Sequence, residues 1–360
     1  MGAVRHMVSN PDSTSVPRTE LWKTARCGGC ARKVPALTAQ RFARLAGQGD
    51  GQDLGSRYMA DVAAVELGDG RVLGLTVDFI TSVVPSPVHY GRIAAANALS
   101  DVYVAGMVPR FALSVACVPP GAGTEEFADA LDAAAAVLTD AGCALVGGHS
   151  VVDPEAKLGF AVVGVPNATG RLLVSGARPD DALVLTKPLG VGILTSSCRA
   201  GLIDEAALGP AVEAMTATNA FLVDLVEGPL GGAVHAATDV TGFGLLGHLK
   251  EMCVRDRLGA TLSPTSLPVL DRVWDLAAGG AHTSAFETNT QYVRDVCGEG
   301  LAALRPEERI VLTDPQTSGG ALLAVAPEAL DAVLAELPGP PGSAVVGRLT
   351  ADSGRITFTG

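Results

Sequence analysis

Short apolar runs and longer helix-periodic stretches alternate along this chain, and the alternation predicts an α/β protein. Residues 34–46 (VPALTAQRFARLA) carry helical apolar spacing, and a loop rich in Gly, Asp and Gln follows at 47–56. Two apolar runs, 61–66 and 72–78, flank Gly68-Asp69-Gly70. A turn of that composition between two such runs predicts a β-hairpin, with Asp61 and Asp78 at its outer strand ends. Residues 89–106 are small, apolar and helix-periodic, and Asn97 and Asp101, at i and i+4, share one face. A carboxylate there is costly unless paired, exposed or metal-bound, and the plain alternative is a solvated face. Residues 111–119 predict a buried strand, 158–165 another, and 124–141 a helix whose first-turn acids suit its dipole. Between them, 144–150 reads as an apolar strand ending in Gly147-Gly148-His149-Ser150. That end is a candidate phosphate loop, since glycines let backbone N–H groups approach oxygens.

Residues 167–181 are polar, with Gly, Pro and charge, and mark the best domain boundary. The expected organisation is a flexible or disordered tail (1–23), an N-terminal domain (24–168) and a C-terminal domain (176–360). In the second half, 182–192 predicts a strand, then Lys187 and a glycine-rich turn into a helix; 210–225 predicts one amphipathic helix. A strand then ends at Asp239, and Gly242, Gly244 and Gly247 lead into another helix. A carboxylate at a strand end, followed by glycines, suits a metal–phosphate site. The structural alternative is a capped turn with Asp239 or Thr241 as N-cap. Residues 265–300 read as irregular. The motif 314–320 (DPQTSGG) precedes a strand (321–326), a helix (327–337) and one terminal strand. No short-period repeat is present, and the halves read as two related α/β units.

Composition narrows the class. The 360 residues are 48% hydrophobic, 18% charged and only 4% aromatic, enough for two domains with small-residue packing. The net charge of −12 excludes a general nucleic-acid binder, which needs a basic face, but not a nucleotide enzyme, because metals bridge acids to phosphates. No apolar run is long enough for a membrane span, and residues 1–20 lack a signal-peptide core. Seven cysteines, an odd number, without an export signal point to a reducing cytoplasm. Cys117, Cys143, Cys198, Cys253 and Cys297 lie singly in apolar runs and read as small core residues.

The remaining two cysteines stand in Arg26-Cys27-Gly28-Gly29-Cys30-Ala31-Arg32-Lys33. Nearby cations lower a thiol's pKa and so favour the nucleophilic thiolate. A glycine-jointed segment (24–56) of this kind can also close over a site built elsewhere. A zinc site would need two further ligands at motif spacing, and a redox pair is the other bland reading. Asp61, Asp78, Asp101 and Asp239 are all bordered by small residues and could hold magnesium on a triphosphate. Neither a Walker loop nor a kinase signature is present.

In order along the chain stand Cys30-x-x-Lys33, Gly91-Arg-Ile-Ala-Ala-x-Asn97-Ala-x-Ser-Asp101, Gly147-Gly-His-Ser150, Leu185-Thr-Lys-Pro-Leu-Gly190, Thr238-Asp-Val-Thr-Gly-Phe-Gly-Leu-Leu-Gly-His-Leu249 and Asp314-Pro-Gln-Thr-Ser-Gly-Gly320. With these the chain resembles, over nearly its whole length, the selenophosphate synthetase (selenide, water dikinase) family of the aminoimidazole ribonucleotide synthetase-like superfamily. The resemblance implies an α/β (α+β) two-domain fold with mixed sheets covered by helices. It implies a reaction in which selenide, ATP and water give selenophosphate, AMP and phosphate. It also implies Mg2+, a K+ requirement and a homodimer with nucleotide sites near the interface. Carried over residue by residue, Cys30 and Lys33 resemble the catalytic pair, Lys33 also contacting ATP. Asp61, Asp101 and Asp239 resemble the magnesium ligands. Tyr58, Met59, Ala60, Asp78 and Asp101 resemble ATP-site positions. Gly148, His149 and Ser150 resemble the segment that reaches nucleotide from the partner subunit. The pattern departs at Tyr58-Met59-Ala60, where relatives often carry Thr-Arg-Asp, at Arg32, often a small residue, and at 279–289. Cys27 is outside the pattern and reads as incidental or as one half of a reversible disulfide with Cys30.

Two other readings share parts of this sequence. An ATP-dependent synthetase or kinase of the same superfamily, acting on a ribonucleotide, thiamine phosphate or a carbamoylated protein tail, would share the aspartates and glycine loops. It would not need Cys30-x-x-Lys33. A non-catalytic nucleotide sensor or selenium carrier would not need all four aspartates intact.

Overall fold

The turn Gly68-Asp69-Gly70 makes the expected hairpin. β1 (Ala63–Glu66) pairs antiparallel with β2 (Val72–Thr81), Glu66 facing Val72, with Gly68 and Gly70 at positive φ. A computed structural model describes residues 21–25, 62–120, 124–338 and 342–359. The expected helix at 34–46, residues 1–20 of the expected tail, and Cys27, Cys30, Lys33, Tyr58, Met59, Ala60 and Asp61 all lie outside the described residues; the tail's last three residues, Leu21-Trp22-Lys23, instead lie in a helix with Leu21 and Trp22 buried.

Chain order continues through α1 (Leu21–Thr24), α2 (Pro87–Val104), β3 (Met107–Val118), α3 (Thr124–Asp140), β4 (Ala144–Val152) and β5 (Lys157–Pro166). The first sheet runs β1-β2-β5-β3-β4, antiparallel except for the parallel β3–β4 pair. Its inner face packs on α2 and α3. Those helices approach closely because Gly91 has no side chain: any Cβ there would collide with the Ala130 carbonyl. The outer face is apolar and open to solvent at Leu75, Val77, Phe79, Phe111 and Leu113. β3, expected to be buried, is therefore buried on one face only. Every residue of β4, the edge strand, is exposed. The Gly147–Ser150 stretch, expected as a loop after a strand, lies within β4 and pairs with β3, Gly148 opposite Ser114.

Irregular chain from 167 to 181 leads to the second sheet, ordered β11-β8-β10-β6-β9-β7. Its strands are β6 (Ala182–Leu185), β7 (Val234–Asp239), β8 (Gly259–Leu262), β9 (Ala321–Val325), β10 (Ala344–Thr350) and β11 (Ile356–Phe358). The helices are α4 (Val191–Arg199), α5 (Gly209–Thr216), α6 (Phe221–Glu227), α7 (Gly244–Asp256), α8 (Val273–Ala278), α9 (Phe286–Ala303), α10 (Pro306–Thr313) and α11 (Leu330–Glu336). Three expectations change here. The single helix at 210–225 is two, broken where Ala217 turns extended (ψ 131°). Residues 265–300, expected as irregular, carry α8 and most of α9, which buries Tyr292, Val293, Val296 and Cys297 at helical spacing. The terminal strand is two strands, β10 antiparallel and β11 parallel to β8.

α2 joins the halves. It packs on β2, β3 and β5 and also touches α5, α6 and β7 of the second half. Among the described residues, no helix is long and apolar enough to cross a membrane.

Candidate functional site

The polar stripe of α2 faces inward. Asn97 and Ser100 are 1% exposed and Asp101 is 8% exposed, so the solvated-face alternative does not hold. β2 alternates its side chains, which puts Thr76 and Asp78 on the same face, toward α2. Thr76 Oγ1 donates to Asp101 Oδ2 at 2.5 Å, and Asn97 Nδ2 donates to Asp78 Oδ2 at 2.8 Å. β2 continues to Thr81, so Asp78 lies within the strand, opposite Phe160, rather than at its end.

The second half supplies the third carboxylate. β7 ends at Asp239, 1% exposed, whose Oδ2 accepts from Ser100 Oγ at 2.6 Å. Asp239 is no helix cap: the N-cap of α7 is Phe243, and Thr241 Oγ1 meets His248 Nε2 at 3.2 Å. Asn219 Nδ2 donates to Ser100 Oγ (2.9 Å) and to the Gly319 carbonyl (3.1 Å). The Ser318 N–H donates to Asn97 Oδ1 at 2.9 Å. Lys187 Nζ donates to the carbonyls of Ala217 (2.6 Å) and Ser318 (2.8 Å). Burial lowers the Lys187 pKa to about 7, and the charge of Asp239 opposes that fall.

The motif 314–320 also serves as a helix cap. Gln316 Oε1 accepts from the Gly190 and Val191 N–H groups, and Asp314 Oδ2 from those of Gly192 and Ile193. The open amides at the start of α4 are thus satisfied from a distant loop. Burial lifts the Asp314 carboxyl from its ordinary 3.8 to about 8, against the lowering pull of the Gln316 amide and the two backbone N–H groups. Between those values the folded chain holds a proton that the unfolded chain has released, so stability falls as pH rises. The slope is at most about 1.4 kcal/mol per pH unit. Asp314→Asn mimics the protonated acid. We expect its thermal midpoint to match wild type near pH 4, to lie above wild type by pH 6, and to decline less toward pH 8, as differential scanning calorimetry from pH 4 to 8 would record.

Sequence reasoning named Asp78, Asp101 and Asp239, and the structure gathers them about α2. Gly148, His149 and Ser150 are not with them: β5 and β3 lie between β2 and β4. Three strand spacings amount to about 14 Å. Thr76, Ser100, Asn219, Lys187 and Ser318 were not singled out. Lys187, a charge directly after an apolar strand, was the one legible signal among them.

Among the described residues no three His, Cys, Asp or Glu side chains are grouped to hold one metal ion, so the three carboxylates are not a closed ligand set; each is a hard oxygen donor that accepts from a neutral hydroxyl or amide. That chemistry fits Mg2+, which takes one or two carboxylates and shares its remaining positions with phosphate and water.

Comparison with known proteins gives a consistent result. The AIR synthase related protein models match at residues 59–166 (N-terminal domain) and 178–358 (C-terminal domain). A selenide, water dikinase of Carboxydothermus hydrogenoformans is 36% identical, with 94% of this chain and 98% of that protein covered. One from Paraburkholderia xenovorans is 37% identical, with 97% and 98% covered. Among solved structures, a HypE–HypF complex aligns with TM-score 0.64 at 19% identity, covering 90% of this chain and 96% of that one. Aquifex aeolicus thiamine monophosphate kinase aligns at 0.60 and 16% identity, covering 90% and 96%. Those two likenesses establish the two-domain fold.

Proposed function

The chain belongs to the selenide, water dikinase family, and from that premise we propose where in the molecule its reaction is carried out. The enzyme is an ATP-dependent phosphotransferase: selenide, ATP and water give selenophosphate, AMP and phosphate. The observation that carries the placement is the convergence of Asp78, Asp101 and Asp239 from two domains onto one face of α2.

Asp101 and Asp239, with Asp61 from outside the described residues, are the proposed holders of magnesium; Asp78 and Asp101 line the nucleotide. When bound, magnesium neutralises polyphosphate charge as the phosphoryl group leaves. The chain's own groups pre-orient the acceptors. Thr76 and Ser100 each occupy one carboxylate lone pair, and Asn97 fixes Asp78. Such preorganised groups need no rearrangement at the moment of reaction. Selenide is a soft anion and needs positioning more than a base. Cys30 is the proposed group that holds or guides selenium, and Lys33 offers a compact charge to phosphate oxygens. The K+ requirement belongs to the same proposal, as does a reducing cytoplasmic setting.

A homodimer completes the picture. An exposed apolar sheet face (Val77, Phe79, Phe111, Leu113) next to an edge strand is an association surface. A partner seated there would set its own Gly148–Ser150 against this chain's first sheet, whose opposite face carries Asp78.

The test is anaerobic phosphorus NMR with ATP, magnesium and sodium selenide, beside Cys30→Ser. Selenide-dependent selenophosphate with matching AMP is expected, and its loss in the variant. Equal signals would demote Cys30; ATP consumption without a selenium product would point to another synthetase of the superfamily.

A further inference from the structure

Lys187 follows β6, where the chain is pinned to β9: the Thr186 N–H donates to the Ala321 carbonyl (3.0 Å) and the Ala321 N–H to Thr186 Oγ1 (2.8 Å). Its side chain is buried, and burying an ammonium is costly unless its protons find acceptors. The two acceptors it takes are the carbonyls of Ala217 and Ser318. Each belongs to a loop that ends on a carboxylate of the proposed site.

The first arm runs from Ala217 to Asn219, whose amide donates to Ser100 Oγ, which donates to Asp239 Oδ2. The second runs through Ser318, whose N–H donates to Asn97 Oδ1, leaving Asn97 Nδ2 to donate to Asp78 Oδ2. Ser318 holds φ 51°, a left-handed conformation that costs a non-glycine residue about 1 kcal/mol. That conformation aims its carbonyl at Lys187 and its N–H at Asn97. The turn after it leaves no slack. A Cβ on Gly320 would strike the Lys187 backbone, and one on Gly319 the Val240 carbonyl beside Asp239.

We propose that Lys187 is a positioning residue that sets Asp78 and Asp239 together, and through them the affinity for the metal–nucleotide complex. The proposal rests on the reading of those aspartates given above. It accounts for two motifs at once, Leu185–Gly190 and Asp314–Gly320, which the reaction itself does not use.

The experiment is Mn2+ titration by EPR on the full chain with a non-hydrolysable ATP analogue, with thermal midpoints recorded alongside. Lys187→Met is expected to fold and to weaken Mn2+ binding by about tenfold or more, as removal of a group supporting metal ligands typically does. Lys187→Arg, which keeps donors for the two carbonyls, should recover most of the loss. Asn219→Ala cuts the Asp239 arm alone, so the double variant with Lys187→Met should bind little more weakly than Lys187→Met itself. Wild-type affinity in a folded Lys187→Met, or losses that multiply in the double variant, would overturn the proposal. If Lys187→Met does not fold, unchanged affinity in Asn219→Ala overturns it. A wild type that binds no Mn2+ with the analogue defeats the site reading, and this inference with it.

Discussion

Asp239→Asn is expected to lower selenide-dependent AMP formation by at least about a hundredfold, the scale of losing one preorganised charge contact in the transition state. The geometry separates this loss from misfolding. Asparagine has nearly the same shape and still offers an oxygen to Ser100 Oγ, the 2.6 Å donor from α2. β7 and β9 are joined by backbone pairing up to Asp239 and Ala321, which the substitution leaves intact. What disappears is one negative charge on a side chain 1% exposed to solvent, where a carboxylate's interaction with a cation is worth far more than in water. The thermal midpoint of the ligand-free protein should stay within about 4 °C of wild type, the scale of about 1 kcal/mol in a domain this size. Raising magnesium should recover part of the rate if the loss lies in binding. Phosphorus NMR and calorimetry on one preparation supply both readouts. Near-normal turnover would remove Asp239 from the site.

The aspartates were legible because each carboxylate interrupts a small or apolar run, a costly placement without a purpose. Their surroundings were less legible, for reasons that lie in tertiary structure. α2 has no clear apolar stripe, since fourteen of its residues are buried, with a sheet on one side and the second half on the other. Periodicity locates a helix but cannot orient one that is covered all round. The break after α5 was invisible because Ala217-Thr218-Asn219-Ala220 continues a helical pattern. At the break Lys187, thirty residues away, takes the Ala217 carbonyl, a contact that no local pattern reveals. Gly147 and Gly148 suggested a loop because glycine is a poor strand former. Here they are held by parallel pairing with β3, and a side chain at Gly148 would collide with Ser114. Only the alignment of two strands distant in sequence reveals that requirement.

Co-expression of Asp239→Asn with a His149→Ala/Ser150→Ala double variant is expected to restore activity that neither chain has alone. Both altered positions in the second chain lie on an exposed edge strand, so its folding should be undisturbed. The argument turns on distance. Within one chain, β4 is separated from β2 by two strands, about 14 Å from the Asp78 strand at ordinary spacing. His149 and Ser150 therefore serve a site in the other copy if they serve one at all. In a two-fold dimer of the two variants, one site combines both defects. The other combines an intact Asp239 with an intact Gly148–Ser150 segment from its partner. Random pairing makes half of the dimers mixed, each with one sound site of two, so about a quarter of wild-type turnover should return. If His149 and Ser150 acted within their own chain, every site in every dimer would be defective and no activity would return. A charge placed on the apolar sheet face, such as Leu113→Glu, should abolish the recovery by separating the copies, since that exposed face borders β4 through β3. Recovery that survives in monomers would show that the segment does not work across an interface.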